Sequence, residues 1–211
     1  TNANYLGTCW DYDNERLIAL YEDANNGKSY VRMASLSGTT LTWLGTQQEV
    51  FPDCKFPCVN YLGSNRIVMT QSDGTCKTRF ATVNVGSNNF TIDSTTKSWG
   101  SYMNNCENIR QDYDSANGVI GFIAKATNNS NYLRACFFKD DNFSSVTDQH
   151  LLQAGSGCDD PTMTFDPNAN RWVVFYQRSG TRSIVLNLNN SINVSGNGAE
   201  RFWALRSYTQ L

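Results

Sequence analysis

The stretch FDPNANRWVVFYQ, at residues 165–177, decides the fold. An aromatic–Asp pair, Phe165–Asp166, precedes a turn rich in Pro and Asn, and a short apolar run then begins after Arg171. The run is rich in β-branched and aromatic residues and is too short for a helix, so it predicts a strand that follows a tight turn. The same unit, an aromatic residue, a polar turn and an apolar strand, occurs four times in the chain.

The four copies are regularly spaced. The other three read YDNERLIALYED at 12–23, YLGSNRIVMTQSD at 61–73 and YDSANGVIGFIAK at 113–125. The aromatic residues at 12, 61, 113 and 165 are 49, 52 and 52 residues apart. An Arg near the start of the next strand follows each run, at Arg32, Arg79, Arg134 and Arg182, and an apolar residue follows about ten positions later, at Leu41, Phe90, Phe143 and Ile192. A period near 50 residues indicates a repeat architecture.

Each repeat predicts four short strands. Turn sequences such as DSANG, NNGKS and LSGTT separate them, and no stretch shows a sustained helical period. Four strands in about 50 residues is typical of a β-propeller blade. The predicted fold is therefore an all-β, four-bladed β-propeller with four antiparallel strands per blade. A β-sandwich or a β-prism built from the same repeats is the alternative.

The sequence resembles β-propeller repeat proteins over its full length. The units at 113–124 and 165–177 carry the resemblance, and DPNANRW is loosely similar to the Asp-box turn of extracellular propellers. The Ser and Gly of that box are missing, and Leu62 stands where the second repeat should carry Asp. We expect one domain over 1–211, with repeats at approximately 1–51, 52–103, 104–155 and 156–211.

Charge and hydropathy exclude two classes of partner. The 211 residues include 17 Lys and Arg against 19 Asp and Glu, so the formal net charge is -2. Nucleic acids and anionic membranes attract basic surfaces, so neither is an expected partner. No apolar run approaches the roughly 20 residues that span a bilayer, so no membrane span is expected.

Cysteines and glycosylation sequons favour an extracellular location. Seven Cys occur without a metal motif, and the closest pair, Cys54 and Cys58, has no second pair to complete a zinc site. Five N-x-Ser/Thr sequons are predicted glycosylation sites: Asn89, Asn128, Asn142, Asn189 and Asn193. We predict a secreted glycoprotein.

The propeller fold sorts the cysteines onto one face. Loops between strands two and three share a face with the connections between blades. Six cysteines map near that face and are disulfide candidates: Cys9, Cys54, Cys58, Cys76, Cys106 and Cys158. Cys76 with Cys54 or Cys106 is the favoured pairing, although sequence alone cannot fix connectivity. Cys136 lies within a strand and is predicted to be free or intermolecular. Most sequons map to the opposite face, so the cysteine-rich face is the predicted working face.

The repeated Arg residues are the candidate ligand-binding residues. Arg32, Arg79, Arg134 and Arg182 could surround one site, because guanidinium groups bind anionic or hydroxyl-rich ligands through paired hydrogen bonds. The alternative is that each Arg pairs with an acid of its own hairpin. Glu22 or Asp23 is available to Arg32, and Asp73 is available to Arg79.

Catalysis has little support in the sequence. His150 is the single His and has no nucleophile motif beside it, and no P-loop, G-x-S-x-G or H-E-x-x-H motif is present. Adjacent carboxylates, as in Asp140–Asp141 and Asp159–Asp160, point to opposite sides of a strand. We therefore expect no catalytic residues, no metal and no cofactor.

These observations lead to two functional predictions. The first is a lectin-like propeller without catalysis, whose partners are glycans or glycoconjugates and which could self-associate. The alternative is a structural subunit of an extracellular fibre, coat or adhesive assembly.

Overall fold

The chain is described by a computed structural model that covers residues 2–100, 103–127, 132–147, 150–153, 157–188, 194–197 and 201–203. The strands within these ranges form four antiparallel sheets, numbered here in chain order. Among the described residues, no helix is long and apolar enough to cross a membrane.

The sheets follow one another along the sequence. Sheet 1 comprises β1 (Ala3–Asp11), β2 (Arg16–Asp23), β3 (Ser29–Ser37) and β4 (Thr40–Phe51). Sheet 2 comprises β5 (Lys55–Gly63), β6 (Arg66–Ser72), β7 (Cys76–Asn84), β8 (Asn89–Ile92) and β9 (Lys97–Ser98). Sheet 3 comprises β10 (Cys106–Asp114), β11 (Val119–Ala126), β12 (Tyr132–Lys139) and β13 (His150–Gln153). Sheet 4 comprises β14 (Asp159–Asp166), β15 (Arg171–Gln177), β16 (Thr181–Leu188), β17 (Val194–Asn197) and β18 (Arg201–Trp203).

Each sheet is an up-and-down meander. Neighbouring strands pair in sequence order, and β9 and β18 add short pairings to β7 and β16. The first strands of the sheets contact one another in the order β1, β5, β10 and β14. The predicted all-β fold, with four blades of four antiparallel strands, is confirmed.

The repeat begins two residues earlier in the first blade than the sequence pattern predicts. Tyr61, Tyr113 and Phe165 each pair with the second residue of the next strand, and in sheet 1 the residue in that position is Trp10, opposite Leu17. Tyr12 lies in the turn and is 78% exposed. Asp11 therefore matches Asp114 and Asp166. Each of these carboxylates accepts backbone N–H bonds from the turn that follows it.

The core of the described residues consists of three layers between neighbouring sheets. The first contains Ile18 and Leu20 of sheet 1 with Ile67 and Met69 of sheet 2. The second joins sheets 2 and 3, and the third joins sheets 3 and 4. Residues of β6 and β11 thus alternate between facing the preceding sheet and facing the next one, as the strand period of two requires.

The ring of blades does not close through the described residues. No core cluster in the described ranges joins sheet 4 to sheet 1. In the described ranges, each sheet packs on its neighbours in the sequence.

Candidate functional site

A cleft opens where the β2–β3 and β6–β7 turns meet the connections that enter β5 and β10. It encloses about 610 Å³ and is bordered by residues of sheets 1, 2 and 3. We call it the loop-face cleft. It lies on the face that the sequence analysis assigned to the cysteine-rich loops, and Cys54 and Cys106 are among its lining residues.

The loop-face cleft is acidic. Of the described residues that line it, four carry carboxylates and one, Lys55, carries an ammonium group; the acids are Glu22, Asp53, Asp73 and Glu107. Two acids have cations nearby. Asp73 contacts Lys77, and the Glu107 Oε2 lies 3.7 Å from the Lys125 Nζ.

Glu22 is the exceptional member of this group. It is the penultimate residue of β2 and is only 7% exposed. Its Oε1 accepts a long hydrogen bond of 3.5 Å from the Asn4 Nδ2, and its Oε2 has no partner among the described residues. Burial of a carboxylate oxygen without a partner costs free energy, and no contact among the described residues compensates that cost at Glu22.

Gln71 adds a second unsatisfied side chain to the same layer. It is fully buried, and neither its Oε1 nor its Nε2 has a partner in the described part of the chain. By strand alternation Gln71 shares the face of Met69, which packs on sheet 1, and Glu22 shares the face of Leu20, which packs on sheet 2. Both polar groups therefore lie between sheets 1 and 2, at the end nearest the cleft.

The sequence alone did not identify Glu22 or Gln71 as buried polar groups without partners. Glu22 was considered only as an ion-pair partner of Arg32, and Gln71 was not singled out. Their positions near the end of a buried strand, directly before polar turns, were the available signal. A single sequence cannot show which of several strand-end acids is covered by the next sheet.

The four predicted binding Arg residues do not surround one site. Arg32 and Arg79 lie opposite Ala19 and Met69, whereas Arg134 and Arg182 lie opposite Ala124 and Tyr176, two residues further along the second strand of the blade. None lines the loop-face cleft.

Three of these Arg residues donate hydrogen bonds to other groups of the chain. Arg79 donates to the Val50 carbonyl at 2.8 Å and to the Thr96 Oγ1 at 2.6 Å, and Arg32 donates to the Gly45 carbonyl at 3.0 Å. Arg182 donates to the Arg178 carbonyl. The alternative pairing with hairpin acids is also wrong for Arg32 and Arg79. Asp73 contacts Lys77 instead, and Glu22 and Asp23 accept hydrogen bonds from Asn4 and Asn25.

All seven cysteines are thiols in this structure. The disulfide candidates Cys9, Cys54, Cys58, Cys76, Cys106 and Cys158 are therefore unbridged, and Cys136 is buried beside Cys76 and Cys106 in the second core layer. Cys9 does not lie on the predicted face, because it directly precedes Trp10 and lines a cavity at the opposite end of the inner strands.

Burial controls the chemistry of these thiols. It raises the pKa of Cys54 and of Cys58 to about 12 and the pKa of Cys76 well above its usual range. Cys76 also interacts with Cys106 through a side-chain hydrogen bond. These three thiols are thus poor nucleophiles in the folded chain, since the thiolate is the reactive form.

The cavity at the opposite end of the inner strands has a volume of about 560 Å³ and is lined by two acids. Both acids accept hydrogen bonds that stabilise the fold. Asp13 accepts the Tyr61 hydroxyl at 2.5 Å and the Ser64 N–H at 3.1 Å. Asp112 accepts the Thr164 hydroxyl and the Phe165 N–H of the next blade. The loop-face cleft is therefore the better candidate for chemistry.

Two predicted glycosylation sites and the single His can be placed. Asn89 begins β8 and accepts hydrogen bonds from Asn84 and Ser87, and Asn142 is exposed in the turn after β12. Asn128, Asn189 and Asn193 lie outside the described residues. The backbone of His150 pairs with Ala135 in sheet 3. Glycosylation and secretion stay predictions.

The described residues contain no group of three or more His, Cys, Asp or Glu that could hold a metal ion.

Comparisons with known proteins identify similar folds. No protein-family model matches the sequence, and no curated protein sequence matches it. A crystal structure of a protein from Lactobacillus plantarum matches with a TM-score of 0.65 at 12% identity and covers 99% of this chain and 58% of its own. A provisionally assigned 6-phosphogluconolactonase from Bacteroides uniformis has a TM-score of 0.58 at 15% identity and covers 93% and 56%.

A protein named as a glycoside hydrolase also matches, with a TM-score of 0.53 at 10% identity, and covers 91% of this chain and 48% of its own. The chain thus spans about half the length of the solved structures that it matches. At these identities the likeness shows the fold alone.

These names correct the functional prediction. A lectin-like protein without catalysis, or a structural subunit, was expected, but two solved structures of this fold are named as carbohydrate-processing enzymes. Absence of a familiar catalytic motif misled the prediction, because carboxylates that act on sugars need no fixed local sequence pattern.

Proposed function

We propose that the chain carries the hydrolytic site of a carbohydrate-processing enzyme and that this site is the loop-face cleft. The names of two structural neighbours motivate the reaction class. The single observation that carries the proposal is Glu22, a nearly buried acid that lines the cleft and whose Oε2 has no partner among the described residues.

Glu22 is assigned the role of general base or acid. Hydrolysis of a glycosidic bond or a lactone requires a group that removes a proton from the attacking water or donates one to the leaving oxygen. A carboxylate in a largely buried position can serve in either role, as in many glycosidases. Asp73 and Glu107, which also line the cleft, are the candidates for a second carboxylate.

The charge of the cleft favours uncharged substrates. Four acids face one ammonium group there, so a phosphorylated sugar would meet net repulsion, and the described lining offers no cluster of basic residues to bind a phosphate. Neutral sugars can instead donate hydroxyl hydrogen bonds to carboxylate oxygens. We therefore propose neutral glycosides or sugar lactones as the substrate class.

The test is a panel of neutral aryl glycosides and sugar lactones, assayed beside their phosphorylated counterparts. We expect turnover of a neutral substrate and a loss of about 100-fold or more in kcat for Glu22→Gln. Glu15→Gln is the matched control, because Glu15 is exposed in the turn between β1 and β2. We expect it to retain full activity.

Thermal melts would establish that both variants remain folded. The proposal is wrong if the panel shows no turnover, or if folded Glu22→Gln is as active as the unmodified chain. Preference for the phosphorylated substrates would contradict the assigned substrate class.

A further inference from the structure

The outer face of sheet 1 is apolar and uncovered. Leu6, Leu41 and Trp43 are 63%, 42% and 43% exposed, and with Leu17 and Arg32 they border a shallow groove of about 460 Å³. Large apolar side chains grouped in this way mark an interaction surface more often than an ordinary surface. We call it the leading face.

Residues at the same position are buried in every later sheet. Leu17, which is partly exposed, corresponds by strand register to Ile67, Ile120 and Trp172. These three are at most 1% exposed, because the preceding sheet covers each of them. The leading face is therefore a blade-packing face that lacks a preceding blade.

Sheet 4 has the complementary face uncovered. Val173 and Phe175 correspond by register to Ile18 and Leu20, which are completely buried against sheet 2. Phe175, by contrast, is 37% exposed. We call this surface the trailing face, and it is the kind of face that covers a leading face elsewhere in the chain.

The contacts of two equivalent Arg residues also indicate that the leading face lacks a neighbouring sheet. Arg79 of sheet 2 reaches across to sheet 1, where it donates to the Val50 carbonyl and lies 5.7 Å from the Phe51 ring centroid. Its equivalent Arg32 lies over Trp43 of its own sheet, and its Nε has no partner among the described residues.

The backbone that could receive Arg32 exists in sheet 4. Trp203 pairs with Thr181 as Phe51 pairs with Ser29, so the backbone of Trp203 occupies the register position of Phe51. A trailing face therefore offers Arg32 the backbone of a last strand close to the position where sheet 1 offers one to Arg79.

We propose that the leading face of one chain is covered by the trailing face of a second copy. Two such contacts, related by a twofold axis, would close eight sheets into one ring. Eight blades lie within the range that propellers adopt. The arrangement continues the three interfaces already present between sheets, and chains about twice this length contain the same fold.

Molecular mass in solution is the first measurement. Light scattering with size-exclusion chromatography should show a dimer of about 47 kDa, twice the 23.6 kDa of the chain. Trp43→Arg and Phe175→Arg place a charge on the leading and trailing faces respectively, and each should yield a folded monomer. Tyr12→Arg is the matched control, because Tyr12 is an exposed aromatic residue in a turn away from both faces, and it should stay dimeric.

Mixing the two monomeric variants tests the pairing of the faces. In a mixed dimer one contact carries both charges and the other carries none, so a mixture should recover dimer that neither variant forms alone. A dimer through two leading faces would be insensitive to Phe175→Arg.

Three outcomes would overturn the proposal. A chain that stays monomeric at about 100 μM would indicate that the leading face is covered by something other than a second copy, such as further sheets of a longer polypeptide. Open oligomers larger than a dimer would show that two copies do not close the ring. Failure of the mixture to recover dimer would exclude the pairing of leading with trailing faces.

Discussion

Aspartates at the first turn of sheets 1, 3 and 4 stabilise the repeat at the scale of single residues, and two of them, Asp11 and Asp114, are buried. Asp114 is 3% exposed and accepts bonds from the Ala116 N–H at 3.1 Å, the Asn117 N–H at 3.2 Å and the Asn117 Nδ2 at 2.7 Å. Asp–x–x–Asn is thus a local motif in which one carboxylate satisfies a whole turn.

Asp114→Ala should lower the free energy of unfolding by about 2 kcal/mol, because it leaves turn donors without a charged acceptor. Urea denaturation followed by tryptophan fluorescence measures the change. Asp141→Ala is the control: Asp141 is exposed and its Oδ1 accepts one bond, from the Ser144 N–H at 3.2 Å. Equal losses for the two variants would contradict the importance of burial.

The thiols of Cys54 and Cys58 should not react with alkylating reagents at neutral pH. Because the pKa of Cys54 and Cys58 is about 12, only about one part in ten thousand is thiolate at pH 8. Alkylation of the native chain should therefore leave both unmodified, and the reactivity should rise as the pH approaches 12. Mass spectrometry after proteolysis identifies the labelled sites.

The same reagent in denaturant, without a reductant, counts all thiols. Seven labelled cysteines are expected from this structure. A smaller number would restore the disulfides predicted from the sequence and, with them, an argument for secretion.

At the scale of strands and sheets, the repeated Arg residues differ in whether they contact a neighbouring sheet. Arg79 bridges sheets 1 and 2, whereas Arg32 contacts its own sheet only. Arg79→Ala should lower the free energy of unfolding by about 1–2 kcal/mol, because it loses two hydrogen bonds and a cation–π contact.

Arg32→Ala is the natural comparison and should cost less than Arg79→Ala. Chemical denaturation at a protein concentration low enough to keep the chain monomeric measures both. A larger loss for Arg32→Ala would mean that bridging between sheets is not what makes Arg79 important.

The strands could largely be predicted from the sequence, because the repeat supplies four versions of each element. The register could not, because Trp10–Asp11 and Tyr12–Asp13 offer the same pattern two residues apart and only pairing with Leu17 distinguishes them. The prediction that the four Arg residues share one site was wrong for a related reason. Their similar spacing along the chain does not reveal a two-residue difference in strand pairing.

At the scale of the whole molecule, the candidate site depends on packing that no local pattern records. Glu22 lies in a polar strand end that resembles several others, and it differs from them because the packing of sheet 2 buries it beside the cleft and leaves its Oε2 without a partner among the described residues. Charge counting from composition gave only a net value of -2, whereas the fold gathers four of the acids around one cleft.

Among the described residues, the three core layers each join adjacent sheets, so cooperativity within one copy passes between nearest neighbours. Such an array behaves as a one-dimensional lattice in which each unit is stabilised by the couplings to its neighbours. Within one copy, these layers give sheets 1 and 4 one coupling each and sheets 2 and 3 two. In a chain without a partner copy, local unfolding therefore begins at sheets 1 and 4 and moves inward, and the cleft, which needs sheets 1 to 3, is lost when sheet 1 opens.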